Sequence, residues 1–500
     1  MLEMLVSGFA SVLNINIILL IFVGVVIGIA FGSVPGLTAN MAVALFIPLT
    51  FGLEALEGLS ILVGLYVGGI SGGLISAILL NIPGTPASIA TTFDGHPMAE
   101  RGEAGKALGV GTVTSFIGTI LGILALLFIA PSLAEITIKF GPIEYFSVSI
   151  FSLTMISVLS SGNMLKGIIS GVLGIAISMV GLSPIDNVPR YTFGYYEFET
   201  GFALLPVMLG LYAVSEILKA AKDNQVISKS DIKDYKIKGL GFSLSELKSQ
   251  IANIIRSAAI GIGLGVLPGI GSSTANLIAY SAAKNQSKYP EKFGTGIIDG
   301  IVASETSNNA VIGGAMTTLM TIGIPGDAVT AMLLGGFMIH GITPGPMLFK
   351  TNGELVYGIF AALILSAIFF LIIQMLGMRG FVQLLKIDKS ILLPVVVTLC
   401  IVGSYATNNR MFDVICLAGF GAFGYFLDKL GFSSAPFVLG FILGPMVELN
   451  LRRGLMFTKG DFLMFFTRPI FVLFIAISII TIIIIAKKEY GRKKTEVSKN

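Results

Sequence analysis

Three long stretches of this sequence contain no charged residue. They lie between Glu3 and Glu54, between Glu57 and Asp94, and between Lys106 and Glu135. Each is long enough for a transmembrane helix, which needs about 20 apolar residues. Only 12% of the 500 residues are charged and 54% are hydrophobic, whereas a soluble domain carries about 25% charged residues. The sequence therefore predicts an all-α, polytopic membrane protein.

Roughly 11 to 13 apolar spans can be placed along the chain. The predicted spans cover residues 15–33, 58–82, 105–130, 143–160, 165–182, 201–218, 254–273, 298–324, 354–377, 391–407, 412–427, 432–448 and 463–486. Two further stretches, 36–53 and 328–340, are apolar but short, and we interpret them as interfacial or re-entrant segments. Glycines recur at four-residue spacing, as at Gly24, Gly28 and Gly32, which predicts helices that pack closely in lipid.

Basic residues are concentrated in two segments. They are Lys219, Lys222, Lys229, Lys233, Lys236, Lys238 and Lys248 in the first, and Lys487, Lys488, Arg492, Lys493, Lys494 and Lys499 in the second. Cytoplasmic loops of membrane proteins are enriched in Lys and Arg, so both segments are predicted to lie inside the cell. Nucleic-acid binding is another common meaning of such clusters, but the flanking spans argue against it.

The two halves of the chain resemble each other. Three pairs of segments match in the same order: Gly32-Ser33-Val34-Pro35-Gly36 with Gly265-Val266-Leu267-Pro268-Gly269, Gly72-Gly73 with Gly313-Gly314, and Asn81-Ile82-Pro83-Gly84-Thr85 with Gly323-Ile324-Pro325-Gly326-Asp327. Such repeats are the usual construction of secondary transporters. An odd number of crossings per repeat would invert the second half. Arg452, Arg453 and Lys459 would then lie outside the cell, which counts against inversion.

These observations divide the chain into five parts. We predict a first transmembrane repeat at 1–218, a basic cytoplasmic linker at 219–250, a second transmembrane repeat at 251–450, an extra C-terminal span at 451–486 and a basic cytoplasmic tail at 487–500. The extra span returns the tail to the cytoplasmic side if the repeats are inverted.

Four Pro-Gly pairs predict broken helices: Pro35-Gly36, Pro83-Gly84, Pro268-Gly269 and Pro325-Gly326. Proline removes a backbone donor and clashes with the preceding turn, and glycine frees the backbone further. A simple kink is one interpretation. The other is a binding site, because broken helices at corresponding positions of two repeats indicate one and freed helix N-termini favour anions. The candidate substrate-binding residues are Pro35, Gly36, Thr38, Asn81, Gly84, Thr85, Ser88, Gly269, Gly271, Ser272, Pro325 and Gly326.

One predicted span begins with a dense polar segment, Ser304-Glu305-Thr306-Ser307-Asn308-Asn309. Ionisable residues inside a membrane are functional candidates, and oxygen groups suit Na⁺ at unwound transporter segments. The candidate cation ligands are Ser304, Glu305, Asn308, Asn309 and Asp327. The alternative is that Glu305 ends a helix at the membrane interface.

Two other functions are compatible with parts of the sequence. Gly69-Ile70-Ser71-Gly72-Gly73 fits the Gly-x-Ser-x-Gly pattern of a serine hydrolase, although that motif needs a strand-to-helix turn and a base. A passive anion channel is the other alternative. The sequence lacks the Gly-x-x-x-x-Gly-Lys-[Ser/Thr] motif, so we expect no nucleotide hydrolysis by a P-loop.

The most specific segments resemble one known family. They are Gly72-Gly73, Asn81-Ile82-Pro83-Gly84-Thr85-Pro86-Ala87-Ser88, Asp94-Gly95-His96-Pro97-Met98-Ala99, Pro268-Gly269-Ile270-Gly271, Asn308-Asn309-Ala310, Gly323-Ile324-Pro325-Gly326 and His340-Gly341-Ile342-Thr343-Pro344-Gly345-Pro346. From about residue 15 to 450 the sequence resembles the large membrane subunit of the tripartite tricarboxylate transporters, the TctA-like proteins.

The resemblance implies a bacterial cytoplasmic membrane protein that is not an enzyme. It implies two partners, a small TctB-like membrane subunit and a periplasmic or extracellular TctC-like solute-binding protein. It also implies uptake of a small di- or tricarboxylate such as citrate, by alternating access and coupled to a cation gradient, commonly Na⁺. The sequence departs from the family pattern where Ser304 replaces a proline and where Asp327 replaces a small neutral or hydroxyl residue, which puts citrate itself in doubt.

Overall fold

The computed structural model of the chain describes residues 2–159, 163–222, 241–384 and 389–497. Up to residue 222 the described chain forms α1 (Leu2–Val12), α2 (Ile15–Ser33), α3 (Ala39–Phe46), α4 (Ala55–Leu80), α5 (Ile89–Glu100), α6 (Ala104–Thr137), α7 (Pro142–Leu159), α8 (Met164–Ser178), β1 (Gly181–Leu182), β2 (Pro189–Arg190), α9 (Leu204–Met208) and α10 (Ser215–Lys222). The two strands pair antiparallel, with Gly181 opposite Arg190.

From residue 241 onward the described chain is helical. It forms α11 (Leu244–Ser249), α12 (Ile251–Val266), α13 (Gly271–Gln286), α14 (Ile298–Ile322), α15 (Ala328–Ile339), α16 (Leu348–Thr351), α17 (Gly353–Leu384), α18 (Lys389–Asn408), α19 (Met411–Lys429), α20 (Ser434–Phe457) and α21 (Pro469–Val497). Short 3-10 helices occupy Pro48–Thr50, Pro86–Ser88, Tyr196–Phe198, Pro290–Lys292 and Phe462–Thr467, and a π-helical stretch, Leu209–Val214, joins α9 to α10.

The helical architecture predicted from the uncharged runs is confirmed, and several helices have the length and hydropathy of membrane spans. Within the described residues, seven helices are long and apolar enough to cross a membrane: Ile15–Ser33, Ala55–Leu80, Ala104–Thr137, Gly353–Met378, Met411–Lys429, Ser434–Phe457 and Pro469–Lys487. Other predicted spans form shorter apolar helices, such as Met164–Ser178 and Ile251–Val266. Helix α14 is outside both groups, since its polar segment from Ser304 to Asn309 lowers its hydropathy.

Several predicted boundaries differ from the structure. The span 254–273 is not one helix: α12 ends at Val266 and α13 begins at Gly271, because Pro268 has no amide hydrogen and Gly269 has φ 74°. The predicted linker starts at Lys219, which lies within α10, and residues 223–240 of that linker are outside the described residues. The last span and the tail form a single helix, α21, which continues to Val497.

Glycines allow the central helices to approach closely, as their spacing predicted. A methyl group at Gly28 of α2 would lie 2.6 Å from the carbonyl oxygen of Leu65 in α4. In the second half, a methyl group at Gly265 of α12 would lie 2.7 Å from the carbonyl oxygen of Val311 in α14. In each half, therefore, the helix before the first break packs backbone to backbone against the helix before the second break.

All four predicted helix breaks are present. Between α2 and α3, Gly36 has φ 94°, and between α12 and α13, Gly269 has φ 74°. Helix α4 ends at Asn81 with φ 56°, and α14 ends at Gly323 with φ 80°. The left-handed Asn81 and Gly323 stop α4 and α14, and the proline two residues after each prevents the chain from resuming the same helix. Helices α2 and α12 instead end at extended residues, Val34 and Leu267, each followed by a proline and a left-handed glycine.

Contacts between helix ends show which ends lie together. Arg101, directly after α5, donates to the carbonyl oxygen of Gly296 at 2.6 Å, just before α14. At the other end of these helices, His340 Nε2 lies 3.1 Å from Thr50 Oγ1, which places the end of α15 beside the segment before α4. The α4–α5 unit and the α14–α15 unit therefore run in opposite directions through the helix bundle.

Candidate functional site

The four helix breaks meet at one cavity of about 580 Å³. Residues 38–40 and 85–87 line it from the first half of the chain, and residues 269–274 and 327–329 from the second. A helix starts at each of these segments: α3, the 3-10 turn that leads into α5, α13 and α15. Unpaired amides at helix starts carry partial positive charge. The cavity is thus surrounded by four groups that suit an anion.

The predicted substrate-binding residues fall into two groups. Thr38, Thr85, Gly269, Gly271 and Ser272 line the cavity, together with Asp327 from the predicted cation ligands. The remaining residues are not among those that line it: Pro35, Gly36, Asn81, Gly84, Ser88, Pro325 and Gly326. They shape the breaks that bring the first group together.

Gly84 and Gly326 have this shaping role. A methyl group at Gly84 would collide with the carbonyl oxygen of Gly32, where the first break begins. A methyl group at Gly326 would lie 2.5 Å from the carbonyl oxygen of Gly265. The Gly326 carbonyl also accepts a hydrogen bond from the Gly269 amide at 2.7 Å. In each half, glycine lets the second break rest directly on the first.

Thr85 lines the cavity, and its side chain carries an unusual buried hydroxyl. Thr85 is buried, with 4% of its surface exposed, and its Oγ1 atom has no hydrogen-bond partner. The Ser88 amide bonds instead to the Thr85 carbonyl at 3.0 Å, and Ser88 Oγ accepts from the Thr85 amide at 3.5 Å, a loose capping arrangement. An unpaired buried hydroxyl is costly, so Thr85 Oγ1 is a candidate ligand contact.

Asp327 contributes a carboxylate to the same wall and is almost fully buried. Its Oδ2 atom accepts from the Tyr66 hydroxyl at 2.7 Å, and Oδ1 accepts from the Thr330 amide at 2.7 Å and the Thr330 hydroxyl at 2.8 Å. Asp327 is therefore the N-cap of α15, and Tyr66 ties this helix start to α4.

Sequence reasoning missed a third side of the cavity. It is lined by Leu211, Tyr212, Glu216 and Lys219, and by Asp428, Gly431, Phe432, Ser433, Ser434, Ala435 and Leu439. Lys219 Nζ lies 2.8 Å from Glu216 Oε1 and 3.1 Å from Asp428 Oδ2. Several lysines follow Lys219 in the sequence and predict a loop there, whereas the structure places Lys219 in α10. The π-helical stretch that carries Tyr212 has no sequence signal, although such stretches are frequent at functional sites.

The polar segment of α14 forms a second, separate cluster. Every residue from Ser304 to Asn309 is fully buried, so the alternative that Glu305 ends a helix at the interface is wrong. The Glu305 carboxylate accepts hydrogen bonds from Thr91 and, at 2.8 Å, from Ser115. Thr91 also lies 3.0 Å from Ser304 Oγ. The cluster joins α14 to α5 and α6.

The two asparagines of this cluster differ in their partners. Asn309 Oδ1 accepts from Ser71 at 2.5 Å and from Thr119 at 3.3 Å, and its amide nitrogen donates to the Glu305 carbonyl. Neither polar atom of the buried Asn308 side chain makes a regular hydrogen bond. Asp327, predicted with this group, bonds to Tyr66 and Thr330 and to none of these residues.

The geometry does not provide Ser71 with a base. Ser71 lies in the middle of the continuous helix α4, and its hydroxyl donates to Asn309 of α14. His96 Nδ1 pairs with the carbonyl of Ile78, and His340 with Thr50. The described contacts of both histidines are therefore with residues other than Ser71. A hydrolase motif also needs a strand-to-helix turn, whereas residues 69–73 lie within helix α4.

The part of the chain that forms this site matches a known protein family. The family model "Tripartite tricarboxylate transporter TctA family" matches residues 18–439. The chain belongs to the TctA family. This confirms the resemblance that the motifs indicated. The chain is a TctA-type subunit of a tripartite tricarboxylate transporter, and the function of that family is transport rather than catalysis.

Two relatives of this TctA-family chain come from Agrobacterium vitis. One is an uncharacterised 52.8 kDa protein in the TAR-I ttuC' 3' region, 34% identical over 490 residues, which cover 98% of this chain and 97% of the relative. The other is an uncharacterised protein in the TAR-II ttuC' 3' region, 36% identical over 234 residues, or 47% of this chain and 97% of the relative. No solved structure matches the chain.

Proposed function

We propose that this chain is the large transport subunit of a binding-protein-dependent secondary transporter that imports a small di- or tricarboxylate, similar to citrate, by alternating access and coupled to a cation gradient. One observation supports this most strongly: four broken helices, two from each half, begin at a single cavity of about 580 Å³. Ligand cavities in proteins are typically about 300 to 1,000 Å³.

The chemistry of the cavity favours an anion held by neutral donors. Thr38, Thr85, Ser272, Ser273 and Thr274 supply hydroxyls, and the helix starts supply backbone amides. Each helix N-terminus contributes about half a positive charge. Among the described residues that line the cavity, Lys219 is the single basic side chain, and it is already paired with two acids.

The cluster on α14 is the proposed coupling site, with Na⁺ as the proposed ion. Ser304, Glu305 and Asn308 offer hydroxyl, carboxylate and amide oxygens, which are hard ligands. Asn308 Oδ1 has no partner in the packed protein, so a cation would satisfy it. In the described ranges, no group of three or more His, Cys, Asp or Glu side chains is placed to hold a metal ion; one carboxylate with neutral oxygens suits a monovalent cation.

Helix α4 is the proposed link between the two sites. It contacts the cluster through Ser71, and it contacts the cavity through Ile70 and through the bond from Tyr66 to Asp327. Ser71 and Tyr66 are five positions apart, about 7.5 Å along the helix axis. A displacement of α4 would therefore change both sites together, as coupled transport requires.

We also propose that the two halves are inverted repeats that move against each other. The opposite directions of the α4–α5 and α14–α15 units support this. Inversion requires Arg452 to lie outside the cell, and its contacts support that position. Arg452 donates to Ser183 at 2.8 Å and pairs with Asp186 beside the β-hairpin. Lys219 and Asp428 meet at the opposite end of α20, so α20 separates Arg452 from the basic linker.

The proposed partners follow from the family. A tripartite system supplies a small TctB-like membrane subunit and a TctC-like solute-binding protein that delivers the carboxylate. We place the assembly in the bacterial cytoplasmic membrane with both basic segments inside, as the distribution of Lys and Arg favours.

The test is uptake of radiolabelled citrate, malate and succinate into proteoliposomes that hold this chain and the small subunit, with loaded solute-binding protein outside. We expect saturable uptake that rises with an inward Na⁺ gradient and stops when a sodium ionophore collapses it. Uptake that is indifferent to every cation gradient would refute coupling. Flux without the binding protein, rising linearly with substrate concentration, would indicate a channel.

A Ser71→Ala variant separates transport from hydrolysis. Ser71 donates one hydrogen bond in the α14 cluster, so the variant should keep measurable, weakened uptake. Complete loss of function, with normal abundance and unchanged substrate affinity, would favour a nucleophilic role.

A further inference from the structure

Three of the four helix starts around the cavity carry neutral residues and one carries a carboxylate. Thr38 precedes α3, Thr85 precedes the turn into α5, and α13 begins at Gly271, whereas Asp327 precedes α15. The Asp327 carboxylate bonds to the Thr330 amide in the first turn of α15. It therefore occupies the place at this helix start where a carboxylate of a ligand would bind.

Hydrogen bonds hold both oxygens of the Asp327 carboxyl group in the cavity wall. Both of its oxygens accept, from the Tyr66 hydroxyl and from the amide and hydroxyl of Thr330. Among the described residues, none with a positive charge forms an ion pair with it: Lys219, the basic residue of the cavity wall, pairs with Glu216 and Asp428. No described cationic side chain therefore neutralises the carboxyl group that Asp327 contributes to the cavity wall.

The side chains and helix starts around the cavity carry charges of opposite sign. The lining side chains carry one positive charge, on Lys219, and three negative charges, on Glu216, Asp428 and Asp327, a net charge of −2. The N-termini of α3, α13 and α15 contribute about +1.5 in total. The wall is therefore close to neutral, and Asp327 removes one unit of the attraction that a highly charged anion would need.

From this we infer that Asp327 is a specificity-determining residue that makes the cavity prefer dicarboxylates to tricarboxylates, because its fixed carboxylate takes the position of a third substrate carboxylate. The inference rests on the proposed function and narrows its substrate class. It also explains why a buried tyrosine of α4, Tyr66, is used to hold this side chain in the wall.

The test is direct binding of radiolabelled succinate and citrate to the purified full-length chain. Wild-type protein should bind succinate more tightly than citrate. Asp327→Asn and Asp327→Ser keep a good helix N-cap but remove the charge, and each should raise citrate affinity relative to succinate by at least tenfold. Asp327→Glu keeps the charge and is the matched control, in which succinate should still be preferred.

The outcomes distinguish this inference from the proposed function. An unchanged affinity ratio in both neutral variants, or a wild-type preference for citrate, would overturn the role of Asp327 and leave carboxylate transport intact. If the wild type binds neither probe and transports neither with its partner subunits, the proposed function fails, and the inference with it.

Discussion

Replacing Thr85 by valine should affect stability and transport in opposite directions. Valine has nearly the same shape as threonine but lacks the hydroxyl. Because Thr85 Oγ1 is buried without a partner, its removal relieves a desolvation penalty of about 1–3 kcal/mol. The free energy of unfolding of the substrate-free chain should therefore stay constant or rise.

The effect on transport follows from the same hydroxyl. If Thr85 Oγ1 donates to a substrate carboxylate in the cavity, the lost hydrogen bond to a charged group is worth about 1.5–3 kcal/mol. That loss corresponds to a KM about 10- to 150-fold higher. The maximal uptake rate should change less than KM, since the variant keeps the helix break and its neighbours.

The assay combines substrate-dependent uptake in proteoliposomes with thermal unfolding of the purified chain. Thr317→Val is the matched control: Thr317 is equally buried, but its hydroxyl bonds to the Gly313 carbonyl at 2.8 Å and it does not line the cavity. It should lower stability slightly and leave KM unchanged. A Thr85→Val variant with wild-type KM would refute the substrate contact, and one that unfolds at a lower temperature would show that the hydroxyl has a structural partner.

Two further comparisons test the buried cluster and the breaks. Asn308→Ala should raise the Na⁺ concentration needed for half-maximal uptake without reducing membrane abundance, because the polar atoms of Asn308 make no regular hydrogen bond. Asn309→Ala should also lower thermal stability, since it loses hydrogen bonds to Ser71 and Thr119. An equal loss of stability in both variants would contradict this difference. Gly326→Ala should lower stability by about 1–3 kcal/mol and abolish most uptake, because its methyl group would lie 2.5 Å from the Gly265 carbonyl oxygen. Gly263→Ala, where a methyl group meets nothing within 4 Å, should be neutral or slightly stabilising, and a Gly326 variant that behaves the same way would refute the packing argument.

The course of the chain near each break was predictable because its causes are local. A proline has no amide hydrogen wherever it lies, and glycine or asparagine accepts a positive φ without help from distant residues. Gly36, Asn81, Gly269 and Gly323 all have positive φ where helices were predicted to break. The uncharged runs predicted the membrane helices for a similar reason, since hydropathy is a property of the segment itself.

Helix α13 shows where local signals fail. Its Ser, Thr and Asn residues hide it from a search for apolar spans, and only packing shows that it turns back. Arg256 of α12 donates to Gln286, the last residue of α13, at 2.9 Å, so both lie at the same end of the bundle. The predicted crossing at 254–273 is therefore a helix that enters, breaks and returns.

The sequence by itself determined that this protein is helical, membrane-embedded and broken at four matched positions, because those properties depend on neighbours in the chain. Only the tertiary structure decided that the four breaks open onto one cavity, that Asp327 lies in its wall, and that Glu305 lies in a separate cluster. Those facts depend on pairs such as Tyr66 with Asp327 and Ser71 with Asn309, which lie far apart in sequence and meet only through helix packing.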